Sequence, residues 1–187
     1  MSIRILGSSP RTGGAAAVQP DKIIAAYVST ADVIVTNTAA ETTLLGAGNG
    51  TLTIPADSTE VGDRFSFEIQ GIISSVANPT LRIQLKSGAV ILADTGAQSM
   101  GNLADGHWII TGEVVTRSLG VTGDSIISGS FITSAGDHFE FVNVVPVTLD
   151  TTINRDVDVT VTWGTAAAGN TITAQIASLM KTLTPAG

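Results

Sequence analysis

The side chains best suited to acid–base or metal chemistry are the two histidines, His107 and His138, each of which has an aspartate nearby. Asp105 precedes His107 by two residues, and Asp137 comes directly before His138. A nucleophilic triad requires a serine, cysteine or threonine beside a histidine and an acid, and neither histidine lies in a nucleophile-elbow pattern. The same four residues also match no metal-ligand spacing. We therefore predict no catalytic residue and no metal site.

A second set of oxygen ligands lies near the C-terminal end, in Asp150, Asn154, Asp156 and Asp158. An EF-hand loop needs ligands at positions 1, 3 and 5, a glycine at position 6 and a glutamate at position 12. Asp156 and Asp158 are two positions apart in a predicted strand, so they share its outward face. Such a face is more typical of a solvated or subunit-facing edge than of a cation site.

The glutamates that predicted strands carry are Glu68, Glu113 and Glu140. Hydrolysis of a glycosidic bond would need two acids facing each other across a cleft. Glu68 points outward by its phase, whereas the sequence does not place the other two. The sequence indicates neither a groove with acids nor exposed aromatic side chains that could bind a sugar. A carbohydrate-active enzyme or lectin is therefore disfavoured.

The elements that must position these side chains are short strands, and the clearest two lie between Asp150 and Ser178. Apolar and polar residues alternate in both, separated by a small-residue link, Gly164 to Gly169. Period-two alternation buries one set of side chains and exposes the other, as in an antiparallel all-β domain. The inward set is predicted to comprise Val157, Val159, Val161, Trp163, Ile172, Ala174 and Ile176.

The rest of the chain shows the same pattern. Phe65, Phe67 and Ile69 mark one further strand, and Gly71 within it predicts a bulge or a close approach of backbone. About eight to ten strands at 8–12-residue spacing are typical of a β-sandwich or barrel. A jelly-roll-like antiparallel sandwich is favoured over an immunoglobulin-like one because the sequence has no Cys–Trp–Cys framework.

Composition narrows the classes of function. Charged residues make up only 13% of the 187 residues, about half the usual share of a soluble domain. This composition suits a protein whose surface faces neighbouring subunits. The net charge of −7 disfavours duplex nucleic acid as a partner. The chain has no cysteine, which excludes a disulfide scaffold. We predict no membrane span, no secretory signal, no cofactor and no small-molecule substrate.

The first forty residues look different from the remainder. We predict an N-terminal arm over residues 1–40 and a jelly-roll domain over residues 41–187. The apolar content of the arm favours docking on a neighbour over a poorly ordered terminus. Deleting residues 1–35 is then expected to leave a folded trimer that no longer attaches to its partner. The predicted docking residues are Ile23, Ile24, Tyr27, Ile34 and Val35.

Several stretches together resemble the jelly-roll domain of tailed-bacteriophage virion proteins, and the resemblance covers roughly Thr42 to Ser178. The most specific part is the closing motif that contains Val157 to Ala166 and Gly169 to Thr173. The other parts are Leu81-Arg-Ile-Gln-Leu85, Ala93-Asp-Thr-Gly96, Trp108-Ile-Ile, Arg117, and Asp150-Thr-Thr with Asn154. That domain is similar in capsid decoration (cement) proteins and in head domains of tail fibres.

The resemblance implies a non-enzymatic homotrimer in the virion. The chain has no coiled-coil heptads, collagen-like repeat or long shaft, so it is more similar to a decoration protein than to a fibre. The expected location is the capsid surface, and the expected partner is the phage major capsid protein. The alternative is a tail-fibre or receptor-binding head module that recognises a host glycan or protein.

Overall fold

The structure is a computed structural model that describes residues 23–143 and 145–182, and these residues form fifteen β-strands and no helix. The alternating patterns in the sequence account for the strands because each strand must bury one face. The strands are β1 (Ile23–Ser29), β2 (Val33–Thr36), β3 (Thr42–Thr43), β4 (Gly48–Gly50), β5 (Thr53–Ile54), β6 (Arg64–Ser75), β7 (Thr80–Ser87), β8 (Val90–Asp94), β9 (Gln98–Ser99), β10 (Leu103–Thr116), β11 (Asp124–Thr133), β12 (His138–Val142), β13 (Val147–Thr148), β14 (Arg155–Trp163) and β15 (Thr171–Thr182).

The strands form two antiparallel sheets packed as a sandwich, so the predicted all-β sandwich is confirmed. The large sheet has nine strands in the order β12-β11-β10-β6-β15-β1-β4, with β13 on β11 and β2 on β15. The small sheet has six strands in the order β3-β14-β7-β8, with β5 on β14 and β9 on β7. The jelly-roll connectivity stays a prediction.

One two-stranded ribbon passes through both sheets. Its first half pairs β6 with β15 in the large sheet, and its second half pairs β7 with β14 in the small sheet. The two strands of the closing motif, β14 and β15, therefore lie in different sheets. The Gly/Ala-rich link between them carries the chain from one sheet to the other.

The core lies between the sheets and follows the predicted phase in most strands. Phe65, Phe67 and Ile69 are buried along β6, as predicted. The largest completely buried side chains are Trp108, Trp163, Phe131, Leu44, Ile69, Ile73, Leu81, Ile83, Met100, Ile110, Ile127 and Ile172.

The inward phase of β15 was predicted wrongly after Ala174. Ala174 pairs with Gly71, whereas the next pair on β6 joins Ile176 to Gln70, so one extra residue, Gln175, is inserted as a bulge. A bulge shifts every later side chain to the other face. Ile176 is consequently 53% exposed, and Ala177 and Leu179 occupy the core positions instead.

The predicted close approach at Gly71 is confirmed. A Cβ atom at this position would lie 1.9 Å from the backbone oxygen of Thr173. Trp108 is the cross-strand partner of Gly71, and its indole Nε1 donates a hydrogen bond of 3.2 Å to that same oxygen. The missing side chain therefore lets a buried indole bond to the strand beyond its neighbour.

The boundary at residue 40 was predicted wrongly, because β1 and β2 both pair with β15 in the large sheet. Tyr27 and Val35 are buried in the core that all other strands share. The Tyr27 hydroxyl donates to the backbone oxygen of Gly46 at 2.8 Å, and burial raises the pKa of this phenol. Residues 1–22 of the predicted arm lie outside the described residues.

Candidate functional site on the outer face of the large sheet

A trough with a volume of about 810 Å³ crosses the solvent-facing side of the large sheet. It extends over β15, β6, β10, β11 and β12, at the positions whose side chains alternate with the core. Five of the side chains that line it are short and carry a hydroxyl group. The hydroxyl-bearing residues that line the trough are Ser66, Thr111, Ser128, Ser130 and Ser178.

Two adjacent glycines form the middle of this part of the sheet. Gly112 on β10 is paired with Gly129 on β11, and these two positions face the core. Cβ atoms there would lie 2.3 Å from the rings of Phe67 and Phe141, respectively. The two rings therefore extend beneath the glycines from the flanking strands β6 and β12, and their centroids are 6.2 Å apart. Aromatic rings that cover glycines are a known means of fixing the register of paired strands.

The trough is acidic. Glu68, Glu113 and Glu140 all line it, from three different strands. Glu113 lies 3.6 Å from Arg64 Nη1 at the rim, and Glu140 lies 4.0 Å from the imidazole of His138. Glu68 accepts a hydrogen bond of 3.1 Å from the neutral amide of Gln70. The expectation that the chain has no groove with acids is therefore wrong. Among the described residues, the one aromatic side chain in the lining, Phe67, is buried beneath Gly112.

Next to the trough lies an apolar patch that we call the isoleucine stripe, made by one isoleucine from each of five strands. Across the sheet, Ile176 pairs with Gln70, Gln70 pairs with Ile109, and Ile109 pairs with Ile132. Exposure reaches 61% for Ile34, 38% for Ile72, 42% for Ile132 and 53% for Ile176. The members of the stripe are Ile34 (β2), Ile176 (β15), Ile72 (β6), Ile109 (β10) and Ile132 (β11).

The two histidines lie on this outer face, and each lies near a residue other than the aspartate close to it in the sequence. His107 Nε2 is 3.3 Å from Gln70 Oε1, and Asp105 accepts a bond from Ser74 instead. Asp137 accepts from Thr133 at 2.9 Å. Within the described ranges, no group of three or more histidine, aspartate or glutamate side chains is arranged to hold a metal ion.

The outward aspartates of the closing motif contact their own chain. Asp156 accepts a hydrogen bond from Thr53 on β5, and Asp158 accepts one from Thr43 on β3, each 2.5 Å long. Both short strands pair with β14. The carboxylates therefore help to fix these two short strands beside β14, while Asp156 stays exposed and Asp158 half-buried on the outward face. Thr160, also predicted to face outward, is buried.

The predicted docking residues are divided by the fold. Tyr27 and Val35 are buried inside the protein's own core, so their side chains are not available to a partner. Ile34 is exposed and belongs to the isoleucine stripe. Ile23 and Ile24 lie in β1, where their backbones pair with Thr182 and Lys181.

Neither the trough nor the stripe was recognised from the sequence. The five isoleucines are separated by up to 142 positions, from Ile34 to Ile176, and they become neighbours only through the register of five strands. A partial signal is present, because Ile72 and Ile132 lie out of phase with the buried residues of their strands.

No protein-family model, curated protein or solved structure matches this chain. In the portion of the chain that the structure describes, no helix has the length and apolar content to cross a bilayer.

Proposed function

We propose that this chain is a structural virion protein, a homotrimeric decoration (cement) protein that stabilises a bacteriophage capsid. The observation that carries the proposal is the isoleucine stripe. Exposed apolar side chains gathered on one face of a folded chain usually mark a surface for association. The low content of charged residues supports the same role, since subunit interfaces are depleted in charge at their centre.

The capsid part of the proposal depends on the resemblance of the closing motif to phage virion proteins. That resemblance supplies the trimeric state and the capsid lattice as the partner. The role is non-enzymatic, because the proposed activity is association through a sheet face. Residues 1–22 are not required for this role, since all five isoleucines of the stripe lie in the described strands β2, β6, β10, β11 and β15.

Self-association is tested by measuring the solution mass of the full chain by light scattering. We expect three times the chain mass of 19.0 kDa, whereas a monomer at all concentrations would contradict the proposal. Ile132→Asp is expected to weaken the trimer at least about tenfold, since it places a charge in an apolar interface. Ile91→Asp is the matched control, because Ile91 is equally exposed (45%, against 42% for Ile132) but lies in the small sheet.

Attachment to a capsid is tested separately with phage heads that carry or lack the chain. The proposal expects ordered density at threefold or quasi-threefold positions and a higher temperature of head disruption when the chain is bound. Equal thermal stability without site-specific density would exclude the decoration role, even if the chain is a trimer.

The alternative function is a receptor-binding or tail-tip module, and the trough is the observation that favours it. Sites for polar ligands are concave and place a few polar groups at fixed positions, as the hydroxyl groups and carboxylates of the trough do. This function predicts that the purified chain binds host cells or glycans. Glu68→Gln should then weaken that binding, and a clean negative result would count against this function.

A further inference from the structure

We propose that the trough is the binding site for the basic N-terminal segment of the same chain, residues 1–22, with Arg11 bound beside Glu68. The inference concerns contacts within one chain, so it goes beyond the decoration role and does not depend on it. It rests on the charge of the two surfaces, on the place where the segment joins the sheet, and on the size of the side chains involved.

Charge is unevenly divided along the chain. The first 22 residues contain three basic residues, Arg4, Arg11 and Lys22, and one acid, Asp21, for a net charge of +2. The remaining residues contain the other six basic residues and fifteen acids, for a net charge of −9. A basic segment is therefore tethered to an acidic domain, and the tether gives it a high effective concentration at any acidic site within reach.

The trough presents three carboxylates from three strands, and the strand registers place Glu113 on the strand next to that of Glu68 and Glu140 three strands away from it. The partner of Glu68 is a neutral amide, and that of Glu140 is an imidazole 4.0 Å away. Arginine binds carboxylates through two parallel hydrogen bonds, which gives geometric specificity in addition to charge attraction. Of the glutamates in the trough, only Glu113 lies near an arginine of the described domain.

The segment joins the sheet at the border of the trough. Ile23, the first residue of β1, pairs with Thr182, which in turn pairs with Arg64. The next outward positions on β15 and β6, Met180 and Ser66, already line the trough. The far wall on β12 is five strand spacings from β1, or about 24 Å. The twelve residue steps from Arg11 to Ile23 can span about 40 Å, so Arg11 reaches every part of the trough.

The small residues around Arg11 also suit a trough that is lined in part by short side chains. Arg11 is flanked by Ser8, Ser9, Pro10, Thr12, Gly13 and Gly14, all with small side chains. Four serines and one threonine line the trough, and their hydroxyl groups can bond to the backbone of an extended peptide. A glycan would be expected to use an exposed aromatic surface, which this trough lacks among the described residues. The observations therefore favour a basic peptide over a sugar.

The absence of cysteine makes disulfide trapping a clean test on the full-length chain. Ser9→Cys is combined with Ser128→Cys in the trough or, as a control, with Ser99→Cys, an exposed serine of the small sheet. In a glutathione buffer we expect the trough pair to form an intrachain disulfide about tenfold faster than the control pair. Arg11→Glu should remove the difference, and adding Glu68→Arg to that variant should restore it.

Each alternative result overturns the proposal. Equal rates for the two pairs would show that the segment does not prefer the trough. Mainly interchain disulfides would assign the segment to a neighbouring copy. A rate advantage that survives Arg11→Glu would exclude recognition by charge. Thermal unfolding verifies that each variant is folded, and Ser130→Cys replaces Ser128→Cys if the latter destabilises β11.

Discussion

At the scale of single residues, the most consequential contact is a buried ion pair at the end of the large sheet. Lys181 Nζ lies 2.8 Å from Asp63 Oδ2, and the Asp63 side chain is only 2% exposed. The same carboxylate oxygen accepts the backbone N–H of Glu60 at 2.8 Å. Removing Lys181 takes a cation away from a carboxylate that is almost completely withdrawn from water, and this costs more than the loss of an exposed pair.

Lys181→Met is therefore expected to lower the free energy of unfolding by about 3 kcal/mol, as measured by urea denaturation. Arg64→Met is the matched control, because Arg64 forms an exposed pair with Glu113 at 3.6 Å. Exposed pairs contribute less than about 1 kcal/mol. Equal losses for the two variants would contradict the importance of burial.

A second residue-scale prediction concerns acid. Arg82 Nε donates to Asp94 Oδ1 at 3.0 Å, and this bond, with help from the backbone N–H of Gly96, holds the pKa of Asp94 below its ordinary value. Lys86 lowers the pKa of Glu41 in the same way. A carboxylate whose pKa is lower in the folded state stabilises the fold above its unfolded pKa, about 4. That contribution is lost as the pH falls through the lower, folded-state value.

We therefore expect thermal stability to fall below about pH 4 and the fall to be shallower in Asp94→Asn. Arg82→Gln should produce the same shallower fall, because it removes the guanidinium group that lowers the pKa of Asp94. An acid limb of the stability curve that is identical in the wild type and both variants would exclude this pair as a contributor.

At the scale of the strand, the two glycines Gly112 and Gly129 let the rings of Phe67 and Phe141 pack directly against β10 and β11. A Cβ atom on Gly129 would lie 2.6 Å from the backbone oxygen of Thr111, in addition to its clash with Phe141. A backbone atom in a paired strand cannot move away without breaking the pairing.

Gly129→Ala should thus cost about 1–3 kcal/mol of unfolding free energy. Gly101→Ala is the control, because no atom lies within 4 Å of a Cβ atom built there. The measurement is chemical denaturation of both variants. A Gly129→Ala protein as stable as the control would show that the Phe141 ring and the backbone of Thr111 can move enough to accept the methyl group.

Strands also show how far the sequence predicts the fold. Alternation identified the inward residues of β6 because Phe65, Phe67 and Ile69 follow one uninterrupted period. It failed in β15 because the bulge at Gln175 exists only in the pairing with β6, and a single strand's pattern does not contain that pairing. The trough and the stripe were missed for the same reason, since lateral neighbours come from distant parts of the chain.

At the scale of the whole molecule, the main correction concerns the beginning of the sandwich. The runs around Tyr27 and Val35 have no sustained period, so they resemble an arm when each is considered alone. Pairing with β15, the last described strand, places both residues in the core. The large sheet is thus completed by joining the first described strands to the last, a contact of high sequence separation that local pattern does not indicate.

The expected effect of deleting residues 1–35 is consequently reversed. This deletion removes β1, most of β2 and the core side chains of Tyr27 and Val35, and it leaves one side of β15 without its partners. Losing one large core side chain costs about 2–5 kcal/mol, and the total stability of a domain is about 5–15 kcal/mol. We expect the shortened chain to show no cooperative thermal transition by circular dichroism. Deletion of residues 1–22 is the control, because it retains every described strand and should still melt cooperatively. If the chain that begins at residue 36 melts at the temperature of the control, β1 and β2 are accessory to the sandwich, and the folded domain begins near residue 41.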